Sequence, residues 1–187
     1  MSGGHGGDGL GRMTYDDVME GLFKEALSSP DPSTQNASVL VYEQHNGYTV
    51  DLRTMAVNKF PTGIVNRPER WIRPNKYAFV EHAERNSIYS AARLGIPTEG
   101  RTLVAIWASC ADCARAIIQS GVKRLVRYVA TEHHDHWERS VNDADAIMSE
   151  AGVEIIEMTT SFPDAPALRR GGKLWLPLGS GNRQGDV

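Results

Sequence analysis

The chain has 187 residues, 41% of them hydrophobic, and a formal net charge of -3, which is enough apolar material for one core and too little for two. No basic run marks a duplex-binding face, no apolar stretch approaches the roughly 20 residues of a membrane span, and the glycine-rich start lacks the basic and apolar regions of a signal peptide. Duplex nucleic acid and membrane are therefore not expected as partners, and a single soluble, cytoplasmic domain is.

In chain order, residues 1–12, "MSGGHGGDGLGR", hold too much glycine to order themselves and read as a flexible segment. Thr14 is placed to cap a first helix, in which Tyr15, Val18, Met19, Leu22, Phe23 and Ala26 recur at spacings of three and four; Pro30 stops it. "ASVLVYEQ" and "YTVDLRTMAV" flank Asn46-Gly47 and read as two antiparallel strands of a hairpin. Residues 58–80 are punctuated by proline and show no periodicity; a loop of that length, leading into the motif that follows, reads as part of an active site. A helix over 81–94 ends at Gly95, "TLVAIW" is a strand, 110–120 a helix ending at Gly121, "KRLVRYV" a strand, about 137–151 a helix, and "VEIIEM" a short strand. The order predicts an α/β fold: a single mixed sheet of about five strands sandwiched by helices. Residues 161–187 read as a C-terminal extension, partly flexible.

His82, Cys110 and Cys113 supply one imidazole and two thiolates, a ligand set suited to zinc. Both groups fall at strand-to-helix junctions, which places them at one edge of the sheet, where open α/β sheets bind ligands. Three protein ligands leave a fourth position for water, the mark of a catalytic zinc, and such a water has its pKa lowered towards about 7. Glu84, two residues after His82 in the first helical turn, is placed to move a proton rather than to bind metal. Taken alone, C-x-x-C also fits redox chemistry or plain packing, and a closed structural zinc could draw a fourth ligand from His133, His134 or His136. The conjunction of H-x-E with C-x-x-C is the pattern of zinc deaminases.

Four stretches, "SSPDPSTQNASVLV", "AVNKFPTGI", "VEHAERNSIYSAARLG" and "SCADCARAIIQSGVKRLV", together with the later "HHDHWERSVNDADAIMSEAGVEI", resemble the deoxycytidylate (dCMP) deaminase branch of the zinc-dependent cytidine deaminase superfamily. The likeness runs over about residues 14–158, so that 13–160 is expected to be the deaminase domain, with a cytidine deaminase-like α/β/α fold. It implies one zinc per subunit on His82, Cys110 and Cys113, and Glu84 as proton shuttle. It further implies that the Ala83 N–H meets the pyrimidine carbonyl, that Asn58 meets the sugar, and that Ser29 approaches the phosphate. The implied reaction is hydrolysis of dCMP to dUMP and ammonia by a homo-oligomer, a dimer or a hexamer. Three positions depart from the family: Ser109 replaces the proline before Cys110, Lys59 replaces a glycine, and Ser28 replaces an arginine. Ser109 and Lys59 join the substrate-side candidates, since a lysine restores part of the charge that a lost arginine removes. Asn86, one helical turn after His82, is placed to turn back and fix the site. Arg67, Arg70 and Arg73 crowd the loop before it as candidates for anion or subunit contact. Deamination of another amino-bearing ring, and a non-catalytic zinc-containing binding module, are the rival readings.

Overall fold

The structure, a computed structural model, describes residues 13–44, 47–128 and 135–180. Segment 1–12 and turn residues 45 and 46 lie outside the described residues, as do His133 and His134; the His136 side chain is likewise not described.

Helix α1 (Tyr15–Ala26) opens with the expected Thr14 cap, which forms a reciprocal box with Asp17: the Asp17 N–H donates to Thr14 Oγ1 and the Thr14 N–H to Asp17 Oδ2. Its stripe of Val18, Met19, Leu22, Phe23 and Ala26 is buried. Strand β1 (Ala37–Gln44) pairs antiparallel with β2 (Gly47–Val50), as the hairpin reading requires. The second strand is not continuous: it breaks at a 3-10 turn, Leu52–Thr54, and resumes as β3 (Ala56–Val57) on the same edge of β1. The break keeps its hydrogen bonds, because the Thr54 hydroxyl accepts the Leu40 N–H at 3.0 Å and the Leu40 carbonyl accepts the Asp51 N–H at 3.2 Å.

Loop 58–80 contains a 3-10 turn at Pro68–Trp71 and the single-turn helix α2 (Lys76–Phe79). Helix α3 (Ala83–Leu94) follows, ended by Gly95 at φ 66°, a left-handed conformation that glycine adopts without a Cβ penalty. Strand β4 (Thr102–Ala105), helix α4 (Ala111–Gln119), strand β5 (Arg124–Tyr128), helix α5 (Asp135–Glu150) and strand β6 (Glu154–Met158) complete the alternation. The sheet runs β2-β1-β4-β5-β6 with β3 beside β1; β4, β5 and β6 are parallel and β1 is antiparallel to β4.

Alternation along the strands builds two cores. Val39, Val41, Val104 and Val126 face α1, whereas Leu40, Leu103, Ala105 and Leu125 pack with Ile88 of α3, Ile117 of α4 and Met148 of α5. The result is the three-layer α/β/α arrangement anticipated above. The segment after 160 is integral to it. Phe162, Ala165 and Leu168 are buried in the α1-side core, and β7 (Leu168–Arg170) pairs with β8 (Lys173–Trp175). The Trp175 ring packs edge-on against Trp107 and Tyr128.

Candidate active site

Pairing of Ser38 with Ala105 puts the start of β1 and the end of β4 at the same edge, and pairing of Ala37 with Val57 brings the end of β3 there too. Asn36, Asn58, Trp107 and the first turns of α3 and α4 therefore converge. His82 and Cys110 are the N-cap residues of α3 and α4, and neither side chain caps its own helix. Both helix N-termini thus start at the thiol cluster, where their partial positive charge favours thiolate.

The His82 Nδ1 atom stands 3.6 Å from Cys110 Sγ and 3.5 Å from Cys113 Sγ. A nitrogen at ~2.1 Å and a sulfur at ~2.3 Å from a tetrahedral zinc lie about 3.6 Å apart, so the donor set fits the ion. Among the described residues this is the one His/Cys/Asp/Glu group able to hold a metal. The two thiols behave as a coupled pair. The Cys113 thiol, hydrogen bonded to Cys110, holds Cys110 down at about 4 despite its burial, and the His82 ring adds to the effect. The same hydrogen bond, with burial, pushes Cys113 well above the ordinary thiol range. One proton leaves readily and the second reluctantly; a dication takes the place of both. Burial opposes charge on His82, yet Cys110 and Glu84 keep its pKa above the usual value.

Glu84 is 2% exposed, and burial raises its carboxyl pKa. One oxygen, Oε2, accepts from Asn36 Nδ2 at 3.1 Å; the other, Oε1, lies 3.4 Å from Ser109 Oγ. A cavity of about 250 Å³ opens beside this cluster, lined among others by Asn36, Asn58, His82, Glu84, Trp107 and Trp137. Asn58 is a hub: its Oδ1 accepts the Ala83 N–H at 2.9 Å, its Nδ2 donates to the Thr34 carbonyl, and its carbonyl accepts the Ser29 hydroxyl at 2.7 Å. Asn86 does turn back, donating to the Val57 and Glu81 carbonyls.

The structure therefore brings His82, Cys110, Cys113, Glu84, Ser109, Ala83 and Asn58 together. Ser29 is buried against Asn58, and Lys59 is exposed with its backbone bridged to Glu81; like Ala83, Ser109 and Cys113, neither lines the cavity itself. Of the three loop arginines only Arg73 lines it; Arg70 lies over Phe79. Asn36 escaped sequence reading. Its type and its place before an apolar strand carry no signal in one sequence, and only the fold reveals that it meets Glu84. Replacing Asn36 by Leu is expected to lower kcat about 10- to 100-fold with zinc retained, because the buried carboxylate loses its donor. Steady-state rates beside metal content check this, and an unchanged kcat would contradict it.

An imidazole and two thiols at the tips of two helices, beside a buried carboxylate on a three-layer sheet, define a zinc-binding domain of the deaminase type. The chain belongs to the cytidine and deoxycytidylate deaminases: the family's zinc-binding region matches residues 13–129. It is 40% identical over 77 residues to the deoxycytidylate deaminase of enterobacteria phage T4, a stretch covering 41% of this chain and 37% of the phage protein. It is 26% identical over 146 residues to the mouse deoxycytidylate deaminase, covering 75% of this chain and 76% of that one. The chain thus spans less than two fifths of the phage relative in that alignment. The fold is shared with the dCMP deaminase of cyanophage S-TIM5, solved in complex with dCMP and dUMP. There the TM-score is 0.54 at 22% identity, covering 76% of this chain and 97% of the other. No helix among the described residues is long and apolar enough to cross a membrane.

Proposed function

We propose that the protein hydrolyses a cytosine mononucleotide, dCMP plus water giving dUMP plus ammonia, as a cytoplasmic enzyme. The observation that carries this reading is the buried Glu84 carboxyl, which shares the wall of one cavity with His82 and Cys110 of the His82, Cys110 and Cys113 cluster. The phage and mouse relatives are deoxycytidylate deaminases. The cavity wall also carries Arg73, Lys76, Arg85 and Arg170, which suits an anionic substrate better than a neutral one.

His82, Cys110 and Cys113 would hold the zinc, which when bound supplies a water acidic enough to ionise near neutral pH. Glu84 would take one proton from the attacking water and pass it to ring N3, then take a second from the new C4 hydroxyl and pass it to the amine, which leaves as ammonia. Asn36 fixes Oε2, leaving Oε1 beside Ser109 as the oxygen open to exchange. Asn58 and Ala83 act as one element. A pyrimidine carbonyl that takes the Ala83 N–H displaces Asn58 Oδ1, which is then released to accept from a sugar hydroxyl. Ser29 holds the Asn58 backbone from behind, so it acts on the substrate through Asn58. Lys59 is exposed and does not line the cavity, so it is left a screening charge at most. The homo-oligomer implied by the family, a dimer or a hexamer, belongs to the same reading, and sedimentation of the intact chain by analytical ultracentrifugation would report it.

The test is ammonia release by the zinc-loaded chain from dCMP, CMP, deoxycytidine, cytosine, adenosine and guanine. The expected result is a kcat/KM for dCMP at least about tenfold above that for deoxycytidine, the worth of one charge-assisted hydrogen bond. Turnover only of an unphosphorylated ring would replace the substrate, and silence across the panel would favour a binding module.

A further inference from the structure

Ser109 is fully buried, does not line the cavity, and sets its hydroxyl 3.4 Å from Glu84 Oε1. We propose that Ser109 is a positioning residue for the reaction: its hydroxyl, together with the Asn36 amide, holds the plane of the Glu84 carboxylate, so that Ser109 acts on turnover through Glu84 and not on the substrate. The proposal rests on the reading of Glu84 as the proton carrier.

Burial and one hydrogen bond do not fix a glutamate. Its last torsion is broad, because a carboxylate turning about its terminal bond meets no sharp staggered wells. Asn36 Nδ2 holds Oε2 at 3.1 Å, which leaves Oε1 free to swing about that contact. A second donor at Oε1 stops the swing. The Ser109 hydroxyl supplies it, over a distance that is long in the free chain, as catalytic hydrogen bonds often are before substrate tightens them. The residue type also suits the place. A hydroxyl both donates and accepts, so it meets Oε1 with or without the proton in transit, whereas an amide N–H or an ammonium would serve the ionised form alone.

The two donors are tied to each other by the backbone. Asn36 lies between Gln35 and Ala37; the Ala37 carbonyl accepts the Ile106 N–H at 3.2 Å, and the Gln35 carbonyl accepts the Trp107 indole N–H at 2.7 Å. Beyond Ser109, the Ala111 N–H donates to Ser140 Oγ at 3.1 Å, which pins the same loop from α5. The stretch 33–35 is in turn latched to the β7–β8 hairpin. The Gln35 N–H donates to the Arg169 carbonyl at 2.9 Å, the Arg169 N–H to Gln35 Oε1 at 3.0 Å, and the Gly172 N–H to the Ser33 carbonyl at 2.8 Å. The spacing of Asn36 and Ser109 is therefore set by the fold, which is what a carboxylate held ready for one geometry needs.

The experiment compares wild type, Ser109→Ala, Ser109→Gly and Ser109→Thr as full, zinc-loaded chains, with dCMP turnover, dUMP binding by calorimetry and zinc content measured on each. Ser109→Ala and Ser109→Gly are expected to lower kcat about 5- to 20-fold, with KM for dCMP and the dUMP dissociation constant changed less than about twofold and zinc retained. Ser109→Thr, which keeps the hydroxyl, is expected to recover most of kcat; if its extra methyl prevents folding, the Ala and Gly variants decide alone. Unchanged kcat in those two overturns the proposal. So does weaker dUMP binding with kcat kept, which would make Ser109 a substrate contact, and so does loss of zinc, which would make it a support of the metal cluster. If the panel above selects another ring, that ring and its product replace dCMP and dUMP; silence across the panel overturns the proposal. Glu84→Gln separates the two readings. Turnover that survives it overturns the proton-carrier reading and this proposal with it, whereas an inactive Glu84→Gln beside a fully active Ser109→Ala overturns this proposal alone.

Discussion

Glu84→Gln is expected to lower kcat about 100- to 10,000-fold while zinc stays bound in full. The substitution keeps the shape of the side chain, and its carbonyl oxygen can still accept the Asn36 amide that now meets Oε2. What it removes is the ability to take up and return a proton. It also removes a charge from a position that is 2% exposed, so the fold loses no favourable solvation. Metal analysis of the same preparation is part of the measurement. Substantial residual turnover would show that another group moves the proton, and loss of zinc would show that Glu84 holds the triad together instead.

Cys113→Ala should remove the metal and much of the stability that the metal confers. Cys113 is fully buried in the first turn of α4, facing His82 at the start of α3, so a bound dication ties two helices that otherwise meet through packing and the Arg85–Asp112 ion pair. A ligand present at 1,000 times its dissociation constant stabilises by about 4 kcal/mol. At about 2–4 °C per kcal/mol for a domain of this size, that is a fall in Tm of roughly 8–16 °C. Calorimetry with and without a chelator checks it: wild type should drop by this amount, whereas the variant, already without zinc, should not respond. A variant that keeps one zinc per chain would point to a fourth protein ligand able to replace the thiol.

The parts of the fold that were legible are those in which local chemistry and tertiary structure agree. Thr14, the three-and-four spacing behind it, and Gly95 name their helices because cap, stripe and stop act over a few residues. The break between β2 and β3 was hidden, since Thr54 replaces a ladder partner with its side chain while the apolar pattern runs on. The C-terminal hairpin was hidden for a different reason. Its strands are three residues each, and what holds them is Trp175 among distant aromatics, which no window of sequence contains. The metal triad was legible because ligand types are few and their spacing is fixed by helix geometry. For Ser29 and Lys59 the motif names residue types and not their partners: only the fold shows that the Ser29 hydroxyl is given to the Asn58 carbonyl and that the Lys59 backbone is bridged to Glu81.

The latch between residues 33–35 and the hairpin also sets an order of events during synthesis. A nascent chain that has emerged to residue 160 already carries His82, Cys110, Cys113, Glu84 and all strands of the main sheet. It still lacks Phe162, Ala165 and Leu168 from one core, and Arg170 and Gly171 from the cavity wall. The residues of the metal cluster are therefore made before the hairpin that completes the cavity wall.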